Sequence, residues 1–453
     1  MKKYIFTSLI SLTLFIGLGS VLQNQALAED LRETLRDVLA NSKSLGSQRQ
    51  AWLASREDIG TKTSTKDLSA TFSASASNSY SGLTGNGTSS TTGSASIALS
   101  KNLYDGGKSA ANTKAAEISL QISEMAYLKT EQAVITEGIS AFLSVIKTRK
   151  EAEIQRANIQ RLEEHVKAAK IRVAAGATTP TSVAEAEARL AKATSNGISA
   201  ENGLVNAEDV FSSLVGRSPG KLDEPAALPA LPETVAIAEQ TASKSHPDII
   251  TARLSTDAAA QQFDVLKSSV GPSLSMSVTA SEKEGRDDDS ISASLDLSVP
   301  LWATNATKAS ARKTAASFEK AKLSESETIR KTTIEVRKAY RNWKSNSVNV
   351  SAVKSELNAA ELVLKGISNE TTYGQKTVLD LLDAEQDVND ARLRLVDAEH
   401  KVLQASFSLL AAIGKLTAAD LDLDGVMSRL QDLPTPPNPF STTFPFRRLH
   451  VID

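Results

Sequence analysis

Leu68, Ala70, Phe72, Ala74 and Ala76 alternate with Ser69, Thr71, Ser73, Ser75 and Ser77, which puts apolar groups on one side of an extended chain and hydroxyls on the other. Ala95, Ile97 and Leu99 continue the pattern against Ser94, Ser96 and Ser100. It returns later in Leu274, Met276, Val278 and Ala280, and again in Ile291, Ala293, Leu295, Leu297 and Val299. The alternation predicts four strands, over about 67–78, 93–103, 273–281 and 290–300. Such strands suit a transmembrane barrel with lipid outside and water inside, although a half-exposed soluble sheet gives the same pattern. The connections Asn78 to Thr92 and Ser281 to Ser290 are Gly/Ser/Asn-rich or acidic, as extracellular loops are. Asp287-Asp288-Asp289 reads either as a solvated loop or as a cation site.

Four strands cannot close a barrel, because open sheet edges are not tolerated in lipid and the smallest single-chain barrels use about eight. Strands from several copies must be pooled. Two copies leave an interior filled by side chains, whereas three pool about twelve strands and leave a lumen, so a conducting barrel implies a trimer.

A different period governs the longer stretches. From about Ser109 to Ala174 the chain contains no proline and no glycine but Gly138, enough for a helix of roughly 100 Å. Ile135, Ile139, Phe142 and Ile146, then Ile159, Leu162, Val166, Ala169 and Val173, keep coiled-coil spacing, as do Val388, Ala391, Leu395, Ala398, Val402 and Ala405. A filamentous coiled coil has the same spacing; strands lying between the helices argue against it.

The chain is internally duplicated. A shift of 198 residues aligns about 93–217 with the second half without a gap, pairing Leu99 with Leu297, Glu137 with Glu335, Gly176 with Gly374, Thr179 with Thr377 and Glu187 with Glu385. Each half predicts helix, strand, polar loop, strand, very long helix, glycine turn and long helix. The expected organisation is a first repeat over 29–217, a Pro-rich linker over 218–233, a second repeat over 234–430 and a disordered tail over 431–453.

Composition narrows the function. Residues 1–28, with Lys2 and Lys3, an apolar stretch from Ile5 to Leu18 and Ala26-Leu27-Ala28, read as a secretory signal peptide. There is no cysteine, hence neither a disulfide nor a thiol for lipidation. Beyond residue 28 no window is apolar enough for a transmembrane helix, so any membrane passage must use strands. Lysine and arginine number 51 against 53 acidic residues, with no basic run, which argues against nucleic-acid binding. His165, His246, His400 and His450 have no metal-ligand spacing, and no phosphate loop or nucleophile elbow is present. Neither an enzyme nor a cofactor is implied.

The order signal peptide, helix, two strands and long helical hairpin, repeated once, resembles the TolC family of outer-membrane efflux and secretion proteins. The most specific match is Tyr373-Gly374-Gln375-Lys376-Thr377-Val378-Leu379-Asp380-Leu381-Leu382-Asp383-Ala384-Glu385, similar to the family's tip turn and inner return helix; Ala175-Gly176 through Glu187 is a weaker copy. The resemblance implies an α+β fold in which a trimeric outer-membrane β-barrel, four strands per chain, continues into a periplasmic α-helical coiled-coil barrel. It implies an exit duct for tripartite efflux or type I protein secretion, opened by a periplasmic adaptor and an inner-membrane efflux pump or ABC exporter. Asp380 and Asp383 match the carboxylates of a cation-selective gate, and their spacing of three places both on one helix face. Thr181, Ser182, Thr371 and Lys376 match latch positions. Two depart from the family pattern: Ser182 stands where an acid is expected and Thr371 where a tyrosine is expected, so a latch here is weaker or differently arranged. Gly176 and Gly374 mark the adaptor-docking tips. The competing account is an exported coiled-coil structural or adhesive protein without channel activity, which would be soluble without detergent.

Overall fold

The structure is a computed structural model that describes residues 30–81, 88–176, 179–225, 230–283, 289–423, 430 and 433. The expected signal peptide, Asp287 and Asp288 of the acidic loop, and the expected tail other than Leu433 lie outside the described residues.

The elements run α1 (Leu31–Asn41), α2 (Lys43–Thr63), a single 3-10 turn (Ser64–Lys66), β1 (Ser69–Ser81), β2 (Thr88–Tyr104), α3 (Lys108–Ala174) and α4 (Pro180–Val215). The second half repeats them as α5 (Val235–Ser245), α6 (Pro247–Ser269), β3 (Ser273–Lys283), β4 (Ser290–Ser298), α7 (Asn305–Thr372) and α8 (Val378–Ala412).

The four strands form one antiparallel sheet in the order β1-β2-β3-β4. Its register aligns the alternation of all four strands. Ser69, Ser100, Ser277 and Ser294 form one transverse row and Phe72, Ile97, Ala280 and Ile291 another, on opposite faces. The hydroxyl face is knitted by cross-strand contacts, Ser69 to Ser100 at 2.7 Å, and Ser75 to Ser94, Ser277 to Ser294 and Ser281 to Ser290 at 2.9 Å each. Large groups of the other face, Phe72, Ile97, Ile291, Leu295 and Leu297, stand exposed. Among the described residues β1 and β4 have one ladder neighbour each, so both outer edges are open. The first hairpin extends beyond the alternating segment. Thr88–Thr92 pairs with Ser77–Ser81, where the sequence suggested a loop; backbone pairing does not require an apolar face, and threonine favours strands.

Below the sheet the hairpins α3/α4 and α7/α8 run as long antiparallel pairs, and α3 also packs against α8. The main core lies midway along them, where Phe142, Ile135, Leu143, Phe211, Leu409 and Leu416 are fully buried with Leu35, Val38 and Leu45 of the short helices. Gly138, the one glycine inside α3, sits under α1: an added Cβ would meet Leu35 Cδ2 at 3.0 Å and Val38 at 3.3 Å. Ion pairs rivet the hairpin arms, including Arg156 to Glu201 at 2.5 Å and Lys170 to Glu187 at 2.8 Å in the first, and Arg394 to Glu356 at 2.6 Å in the second.

Candidate channel gate

Both hairpins turn at a glycine in the left-handed region, Gly176 at φ 70° and Gly374 at φ 73°. An added Cβ would meet open space at either position. The backbone conformation, not crowding, therefore calls for glycine. The return helices start differently. α4 begins with Pro180, whose missing N–H falls where a helix leaves donors unpaired anyway, and Thr179 makes no side-chain cap. α8 begins with a capping box: Thr377 Oγ1 accepts from the Asp380 amide at 3.1 Å, and Asp380 Oδ2 accepts from the Thr377 amide at 2.9 Å and its hydroxyl at 2.7 Å.

The two gate candidates thus differ in environment. The Thr377 backbone N–H, then its hydroxyl, and the nearby Lys376 charge hold the Asp380 carboxyl below the usual carboxylate range. Asp383, one turn on, is 61% exposed and accepts from Arg189 Nη2 of α4 at 2.6 Å. Just beneath it Leu162 of α3, Ala193 of α4 and Leu382 of α8 form an apolar cluster that sets the three helices at a common height.

Of the latch candidates, Ser182, Thr371 and Lys376 line one cavity of about 850 Å³ with Arg172, Glu185 and Thr377, between the two tips. Thr181 does not line it. The Thr371 hydroxyl donates to Ile367 O of its own helix at 2.7 Å. Further up, His165 Nε2 of α3 and Glu385 Oε1 of α8 meet at 3.0 Å, both largely buried. Sequence reading missed Arg189, His165 and Glu385 as partners, because spacing within one helix carries no information about a residue on another. Their one signal was opposite charge; the glycine turns join α3 to α4 and α7 to α8, whereas Arg189–Asp383 and His165–Glu385 run between the two hairpins. Among the described residues no cluster of metal-ligand type is present, and no helix is long and apolar enough to cross a membrane.

An open sheet, apolar on one face and hydroxyl-bearing on the other, joined to helices of roughly 100 Å that converge on paired polar tips, defines an outer-membrane duct with a helical extension. The model of the outer membrane efflux protein family matches residues 34–217 and 239–415, and the chain belongs to that family. It is 28% identical over 339 residues to the outer membrane efflux protein BepC of Brucella suis, covering 74% of each chain. To the outer membrane protein TolC of Vibrio cholerae it is 23% identical, over 72% of this chain and 78% of that one. Among solved structures it superposes on CusC with a TM-score of 0.74 at 16% identity, over 86% of this chain and 92% of that one, a likeness of fold. The protein is an outer-membrane channel, with its helical part in the periplasm, and not an exported filament.

Proposed function

We propose that three copies of this chain close into one conduit, which a periplasmic adaptor, recruited with an inner-membrane pump, opens at the tips around Gly176 and Gly374. The observation that carries this reading is the sheet: one face suits lipid, the other suits water, and both outer edges need partners. Pooling about twelve strands satisfies the edges and leaves a lumen. Leu103-Tyr104 at the end of β2 and Leu301-Trp302 just after β4 are related by the 198-residue shift, and all four are exposed. A β-bulge pairs Tyr104 with Leu274 on the apolar face. Aromatic groups at this level suit the membrane–water boundary.

At the other end, Asp380 and Asp383 carry the cation preference of the entrance, and Ser182, Thr371 and Lys376 line the cleft through which the two tips part. Thr181, at the start of α4, takes the remaining latch position. The duct binds no nucleotide and stores no energy, so conduction is passive once the tips separate. The test is planar-bilayer conductance of detergent-extracted protein, with oligomeric mass measured on the same preparation. A trimer with small, cation-selective openings supports the reading; a monomer that stays soluble without detergent and does not conduct overturns it. Replacing Asp380 and Asp383 together with alanine is expected to reduce the cation preference and blunt block by multivalent cations.

A further inference from the structure

Asp383 does not face the entrance as a bare carboxylate, because Arg189 of the neighbouring return helix donates to it at 2.6 Å. This contact follows from how the helices are packed. Ala186 and Ala193, one turn to either side of Arg189, are buried, as are Leu382 and Ala384 on either side of Asp383. α4 and α8 both pack along α3, and the Leu162, Ala193 and Leu382 cluster brings the two helices to the same height on it. The Arg189 side chain is 28% exposed, so much of its length is held against the helices while its head reaches Asp383. Asp380 lies on the same helix but is turned toward its own Thr377, with no arginine partner among the described residues.

We propose that Arg189 is a selectivity-setting residue of the entrance: by pairing with Asp383 it cancels one of the two carboxylates of each copy, leaving Asp380 to supply most of the negative field. The inference rests on the reading of Asp380 and Asp383 as the gate. A charge and its counter-charge at hydrogen-bond distance act on a passing ion as a short dipole, whose field falls off much faster than that of a lone carboxylate. Cation preference is thereby held below what two unpaired acidic groups per copy would impose.

The test is the reversal potential of single channels in a KCl gradient, with oligomeric mass checked for each variant. R189Q is expected to raise the potassium-to-chloride permeability ratio by about twofold or more and to tighten block by multivalent cations. D383N, which leaves Arg189 uncompensated, should lower the ratio below that of the native protein. The double variant R189Q/D383N should return close to the native ratio, and R189K, which keeps the charge, should stay there. A purely structural pair would change channel stability in these variants but not move the ratio in opposite directions. If D380N and D383N lower the ratio while R189Q leaves it unchanged, the inference is overturned and the gate stands. If none of the three moves it, the gate reading itself falls.

Discussion

α3 and α7 occupy the same place in the two repeats and are 67 and 68 residues long, yet twenty residues of α3 are buried and only Thr332, Val336 and Val353 of α7. The duplication makes the comparison residue by residue. The 198-residue shift sets buried Ile139, Phe142 and Leu143 of α3 against Arg337, Tyr340 and Arg341 of α7. Arg337 instead pairs with Glu239 of α5 at 2.5 Å, and the Tyr340 hydroxyl donates to Glu233 O at 2.7 Å. α7 still carries Leu323, Val348 and Leu362 on its surface, between 61% and 71% exposed. One of the two long helices therefore runs through the core of the chain, while the other keeps an apolar face left uncovered by the described residues. In the proposed trimer that face meets a neighbouring copy.

The sharpest way to break this comparison is Phe142→Ala, which should lower resistance to denaturant-induced unfolding by about 3–5 kcal/mol through the cavity it leaves. Unfolding followed by circular dichroism checks it; a change within about 0.5 kcal/mol would mean that α3 is not the core. The two hairpin ends offer the next contrast. Gly414, at φ 72°, would bring an added Cβ within 2.6 Å of Ser245 O and 2.7 Å of His246 Cα, whereas at Gly216 the obstacle is the Asn41 side-chain amide at 2.9 Å. Gly414→Ala should cost more than about 2 kcal/mol and Gly216→Ala about 1, because backbone cannot step aside as a side chain can. Equal losses would show that both repeats relax alike.

Leu362→Ala should leave unfolding of the protomer nearly unchanged and lower the temperature at which the oligomer dissociates, read by native gel after graded heating. If it destabilises the fold as Phe142→Ala does, α7 has a core face within the chain after all. The smallest effect belongs to the tips. Thr377 holds Asp380 below the ordinary carboxylate range, so this group keeps its charge, and its contribution to helix capping, until pH falls through that lowered value. Thr377→Val should move the loss of cation preference upward, toward about pH 4, while Thr179→Val, at a start without a side-chain cap, should not. Reversal potentials across roughly pH 3 to 5 discriminate the two.

Much of this architecture is written locally. The strand faces were legible because a period of two admits only two sides, and Phe72, Ile97 and Ile291 fall together once the strands pair. The tip turns were legible because a left-handed residue after a long helix calls for glycine, as at Gly176 and Gly374. The outer part of the first hairpin was not, since Thr88–Thr92 has the composition of a loop and gains order from its partner strand. At the proposed gate, Asp380 and Asp383 look alike in sequence; capping chemistry makes one partner readable three residues away, and nothing in α8 announces Arg189.

The amino-acid sequence by itself determined the period of each segment, the sites of the turns and the duplication, because these depend on residues a few positions apart and on the rise of each backbone form. Only the tertiary structure decided which of two homologous helices became the core, which carboxylate met an arginine, and that Ser182, Thr371 and Lys376 border one cavity. Those outcomes depend on the rotation and height of whole helices against one another. Both are set by packing summed over buried groups such as Leu162, Ala193 and Leu382, and are encoded in no single stretch of chain.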